Sequence, residues 1–229
     1  MKQKIISQKV KVNRVVLLSV KELDELLEGD EAMQEKLWSP SGVPNEPWAL
    51  ISISSDREGE RMHDPNAEFR LTPANKKILT DLQCLEALPL HITDILEAHY
   101  LEHKALYDSR DTYFNKNHLT QITSFLERIK FSVSMLVVNC GFGRSRSGAI
   151  GLFSAKYLDL DIGTFIRENV VRISPNPSIL YACDQQIPLF GFRAHLDATR
   201  LARAIWRAKH RPHPNALERV ISLVKARRT

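Results

Sequence analysis

Long apolar runs are what this chain of 229 residues most clearly lacks. The longest clean one near the start, Val15 to Leu18, follows Lys9, Lys11 and Arg14 and is too short for a signal-peptide core. No segment approaches the roughly 20 apolar residues that span a bilayer. A cytoplasmic protein is the expectation. Cysteine is scarce as well: Cys84, Cys140 and Cys183 lie far apart, with no C-x-x-C spacing and an odd count that cannot complete a disulfide framework. With 9 Gly and 11 Pro the chain is no low-complexity or collagen-like sequence, and no internal repeat is visible. What it does have is a globular balance, 43% hydrophobic and 26% charged residues, and enough length to bury a core without staples.

Charge is modest in sum and uneven in place. The net charge is +5, yet nine basic residues lie between His195 and Thr229 against only Asp197 and Glu218, so the remainder is slightly acidic. The expected organisation is therefore a domain over residues 1–194 and a basic helical extension over 195–229, broken near Pro212 and Pro214. Such an extension suits a solvated helix face, and nucleic acid or another acidic partner remains open for it, although Trp206 is its lone aromatic.

Local pattern predicts an α/β fold, a central, mostly parallel twisted sheet flanked by helices. Strands are expected at Val12 to Val20, Trp48 to Ser54, Leu88 to Ile92 and Val133 to Val138. Helices are expected at Lys21 to Glu28, through Leu119, Ile122, Phe125 and Ile129, from Arg146 to about Leu158, and over Ile162 to Val171 and Pro177 to Gln186. In open sheets of this kind ligands sit at the C-terminal ends of the strands.

At one such end stands Cys140-Gly141-Phe142-Gly143-Arg144-Ser145-Arg146-Ser147-Gly148, between the fourth strand and a helix. A loop of this length wrapped around one point aims backbone N–H groups inward, and with a helix N-terminus behind them they form a cup the size of a phosphate. Gly141 through Arg146 would line it. Gly143 can take backbone angles closed to other residues. The same dipoles favour the anionic form of a sulfur at Cys140. Arg146 offers a planar fork for two phosphoryl oxygens, and Ser147 can donate to the sulfur. Cysteine, glycine, arginine and serine at these offsets arise by chance on the order of once in a thousand chains.

This segment resembles the H-C-x-x-G-x-x-R-S/T-G signature of the cysteine-dependent protein tyrosine and dual-specificity phosphatases. The match lies at Cys140, Gly143, Arg146, Ser147 and Gly148, with further likeness to compact bacterial dual-specificity members in Trp48 to Ile53, Leu88 to Asp94 and Pro175-Asn176-Pro177. It departs at Asn139, where the family carries His, and an amide lacks the charge of an imidazolium. The resemblance implies a phosphomonoester hydrolase without metal or cofactor. Cys140 attacks phosphorus, and water clears the phosphocysteine. The implied substrate is a phosphorylated protein, phosphotyrosine first, with phosphoserine and phosphothreonine open. Asp94 fits the general acid by position, while Asp108 and Asp111 compete for the role. Two alternatives stand beside this. One is a phosphate-binding module without turnover. The other is a phosphatase for a phosphoinositide or an RNA 5′ phosphate, to which Arg144 and the basic tail would lend charge. His99 and His103 have the spacing of metal ligands but no third partner in the pattern, so a solvated face is expected there. Cys84 and Cys183 are expected as buried packing residues, with a protective disulfide to an oxidised Cys140 the alternative.

Overall fold

Ser19 ends one element and starts the next. Arg14–Ser19 form strand β1; the Ser19 side chain then accepts the Glu22 N–H while the Glu22 carboxylate accepts the Ser19 N–H, a capping box that opens helix α1 over Val20–Leu27. The computed structural model describes residues 10–33, 47–54, 73–92, 113–210 and 215–225. Its further elements are β2 (Trp48–Ser54), α2 (Pro73–Asp81), β3 (Cys84–His91), α3 (Lys116–Ile129), β4 (Met135–Cys140), α4 (Arg146–Tyr157), α5 (Ile162–Asn169), α6 (Pro177–Gln186), α7 (His195–His210) and α8 (Ala216–Lys225).

The four strands form one sheet in the order β1-β4-β2-β3, and every neighbouring pair is parallel. The fold is thus α/β with a parallel sheet between helices. β4 lies inside, bonded on both sides, and all six of its residues are buried, as continuous apolar strands of parallel sheets require. Side chains alternate between two apolar clusters. Leu17, Ile51, Val138 and Cys140 join Phe125 of α3, Ile150 and Phe153 of α4, Ile166 of α5 and Leu180 of α6 on one side. Leu18, Leu50 and Val137 meet Leu23 and Leu26 of α1 and Leu79 of α2 on the other.

The two C-terminal helices are not merely solvated. Ala198, Leu201 and Ile205 of α7 and Val220, Ile221 and Val224 of α8 belong to the larger cluster, and the Lys156 ammonium donates to the Val224 carbonyl at 2.8 Å. Their basic residues occupy the outer face, with Arg200, Arg203 and Arg207 exposed. None of the described helices is long and apolar enough to cross a membrane.

Candidate active site

β4 begins at Met135, two residues later than the apolar run, and ends as expected in Asn139 and Cys140, where both positions pair with β1 and β2. Cys140 therefore stands at the C-terminal end of a strand held on both sides, and the turn to α4 begins at once. Its conformation is set from outside. The Gly141 carbonyl accepts the Val20 N–H at 3.3 Å, the Arg144 carbonyl the Ser174 N–H at 3.2 Å, and the Ser145 carbonyl the Asn176 N–H at 3.1 Å. Since the C=O and N–H of a trans peptide point opposite ways, these bonds turn the N–H groups of Phe142, Ser145 and Arg146 toward the interior of the loop. That is the orientation an anion cup needs.

Gly143 makes the turn possible. Its φ is +65°, and a Cβ there would lie 2.5 Å from the Ser19 nitrogen and 2.6 Å from the Leu18 carbonyl carbon, both backbone atoms that cannot give way. Gly143→Ala is expected to lower stability by roughly 2–4 kcal/mol, from the left-handed strain and the overlap together. Oxyanion binding should weaken with it. Urea unfolding and vanadate titration of the variant check both, and an unchanged unfolding midpoint would contradict the close approach.

Within the loop two of the candidate side chains meet. The Cys140 thiol donates to Ser147 Oγ at 3.2 Å, both residues buried; were the sulfur ionised, the hydroxyl could rotate to donate instead. Arg146 is only 2% exposed and donates from Nη1 to the Ile92 carbonyl at 2.8 Å, just past the end of β3. Burial pushes its pKa down to about 10, which leaves it charged at neutral pH. Phe142 and Arg144 project outward, Phe142 with 65% of its surface exposed. Gly141 and Ser145 lie half-buried between these positions.

Asn139 does not face the sulfur. Leu136, Val138 and Cys140 belong to one cluster and Met135 and Val137 to the other, so alternation directs Asn139 to the α1 face, beside Leu18 and Ser52 in register. It is fully buried, and among the described residues neither amide atom has a hydrogen-bond partner.

Sequence reading missed a supporting pair. Arg172 donates through both terminal nitrogens to the Glu22 carboxylate, and Nη1 also donates to the Leu17 carbonyl at 3.2 Å. This bidentate link joins the β1–α1 junction, which supplies the Val20 N–H, to the segment that supplies the Ser174 N–H. The Ser19-x-x-Glu22 spacing was a visible signal for the cap, but nothing local pointed from Glu22 to Arg172. On the opposite edge His118, buried on α3, accepts the Asn115 N–H on Nδ1 at 3.2 Å, and burial pushes its pKa down.

The acid candidates Asp94, Asp108 and Asp111, with His99 and His103, lie outside the described residues. Cys84 and Cys183 are buried free thiols in the two apolar clusters; burial raises the pKa of Cys84 to about 12 and that of Cys183 further. Among the described residues no group of three His, Cys, Asp or Glu side chains is placed to hold a metal ion. Fold and site together define a parallel α/β protein with an inward-turned loop between its central strand and a buried helix. No family model, curated protein or solved structure matches the chain.

Proposed function

We propose that the protein is a cysteine-dependent phosphomonoester hydrolase of the protein tyrosine and dual-specificity phosphatase type, acting on phosphorylated proteins. The observation that carries this is the convergence in one loop of Cys140, Ser147 at 3.2 Å from its sulfur, and a buried Arg146, on backbone whose N–H groups turn inward. A tetrahedral dianion suits such a loop. The sulfur of Cys140, as thiolate, attacks phosphorus in line, forming an S–P bond as the P–O bond to the leaving group breaks. Backbone N–H groups and the Arg146 fork hold the three equatorial oxygens. An aspartic acid gives its proton to the departing oxygen, then takes one from the water that cleaves the S–P bond, while Ser147 donates to the sulfur as it leaves.

For the acid, Asp94 has the best support. It comes two residues after Ile92 in sequence, and the Ile92 carbonyl accepts from Arg146. Asp94→Ala should slow phenyl phosphate hydrolysis by about 10²-fold or more while hydrolysis of an activated nitrophenyl ester changes far less, because only the poor leaving group needs the proton. Should Asp108→Ala or Asp111→Ala show that selectivity in its place, the acid is assigned wrongly.

The direct test of the function is p-nitrophenyl phosphate turnover by the purified protein in excess chelator. Sustained hydrolysis is expected, since the loop supplies both nucleophile and positive field. Vanadate binding with no hydrolysis of any aryl phosphate would instead identify a phosphate-binding module.

A further inference from the structure

We propose that the cavity between α7, α8 and residues 190–192 is a binding site for a single amphipathic anion, a ring or short acyl chain that carries a carboxylate or phosphate. None of its lining residues belongs to the Cys140 loop, so the site stands independently of the function assigned to that loop.

The cavity encloses about 300 Å³ and is lined by Phe190, Phe192, Asp197, Arg200, Leu201 and Leu223. Four of the six are apolar, and a space of this size takes one ring or a short chain. Its wall is ordered in advance. The buried Asp184 carboxylate accepts the N–H groups of Phe190, Gly191 and Phe192, and the two phenyl rings stack with centroids 5.2 Å apart. A ligand therefore meets a preformed aromatic surface and loses little entropy in shaping it. Leu201 of α7 is buried, whereas Leu223 of α8 keeps 44% of its surface exposed, so this apolar side chain stands open to cover by a ligand.

Charge decides the polar end. Asp197 pairs with Arg200 at 3.5 Å through one oxygen, and its other oxygen accepts the Arg193 N–H at 3.0 Å. That carboxylate is already engaged on both sides. The Arg200 side chain, by contrast, is 67% exposed and meets Asp197 through Nη1, which leaves donors of its five N–H groups for a ligand. One and two turns further along the same exposed face stand Arg203 and Arg207, neither with a carboxylate within ion-pair distance among the described residues. An anion over the mouth can accept from Arg200, within a helical turn of Arg203, while its apolar part fills the cavity. A nucleic-acid strand would use the arginines and leave the cavity unfilled.

The test is calorimetric titration of the full chain with decanoate, and with decanol and decyltrimethylammonium as neutral and cationic counterparts. Decanoate should bind at one site with Kd between roughly 0.05 and 1 mM, and the cation more weakly by about fivefold or more. Arg200→Gln should weaken decanoate by about three- to fivefold and leave decanol unchanged. Leu223→Trp, at an exposed position that tolerates a larger side chain, should fill the cavity and abolish binding of both, with thermal melts confirming that each variant folds. No saturable binding at millimolar decanoate overturns the proposal, as does an affinity that Leu223→Trp leaves unchanged or a preference for the cation. Sedimentation with phosphatidylglycerol vesicles separates the sources of the anion. Sedimentation lost in Leu223→Trp supports a membrane lipid as the ligand, and decanoate binding without sedimentation supports a free acyl anion. Sedimentation that survives Leu223→Trp, with no decanoate binding by the wild type, would reduce the arginines to a general contact with anionic surfaces and remove the site.

Discussion

Cys140→Ser is expected to lose p-nitrophenyl phosphate turnover by on the order of 10⁴–10⁶-fold, the scale seen when a nucleophile is removed, while still binding vanadate or tungstate. The exchange of sulfur for oxygen is nearly isosteric, and the site is buried within a strand end paired on both sides, so the loop should keep its shape. What changes is chemistry. An alcohol stays protonated near neutral pH, and no base among the described loop residues is placed to take its proton; Ser147 at 3.2 Å is another hydroxyl. The groups proposed to hold the oxyanion, by contrast, are backbone N–H groups and Arg146, none of which the substitution replaces. Full activity in Cys140→Ser would sink the nucleophile assignment, and loss of both turnover and oxyanion binding would mean that the loop had rearranged.

Arg146→Lys should lower kcat by about 10²–10³-fold, the cost of removing one well-placed transition-state donor. An ammonium is a point charge and cannot present two parallel N–H groups to two phosphoryl oxygens. It also fits the site poorly. Arg146 is buried with one terminal nitrogen spent on the Ile92 carbonyl at 2.8 Å, so a lysine must either leave that carbonyl unsatisfied or turn away from the loop to serve it. An unsatisfied buried carbonyl costs about 1–3 kcal/mol, and a shift in the unfolding midpoint would report it. Stopped assays with phenyl phosphate, beside urea melts, distinguish the two effects. Near wild-type kcat in Arg146→Lys would assign this arginine to the fold and shift attention to Arg144.

The legible parts of this protein are those where one short stretch decides its own structure. Trp48–Ser54 and Pro177–Gln186 form with the ends expected, because an unbroken β-branched run and an Asn176-Pro177 cap with Pro at the first turn are local signals. Cys140, Arg146 and Ser147 fall within eight consecutive residues, so their grouping was visible before any fold was known. β3 begins four residues earlier than expected, at Cys84. Its first half alternates buried Cys84 with exposed Leu85 on the sheet edge, a pattern that carries little apolar signal. Helix α2 over Pro73–Asp81 was not expected at all, for its stretch is short and polar.

Everything that orients the loop was decided by tertiary structure. The Ser174 and Asn176 N–H groups reach Arg144 and Ser145 across about thirty residues, Arg146 reaches Ile92 across 54, and Arg172 reaches Glu22 across 150. The face taken by Asn139 depends on which residues of β1 and β2 lie beside it, and the place of the last two helices depends on how α7 packs against α6 and α8 against α5. Hydrophobic periodicity states which side of an element is buried. It does not state against what, and partners distant in sequence meet only when the sheet order β1-β4-β2-β3 and the helices on it bring them together.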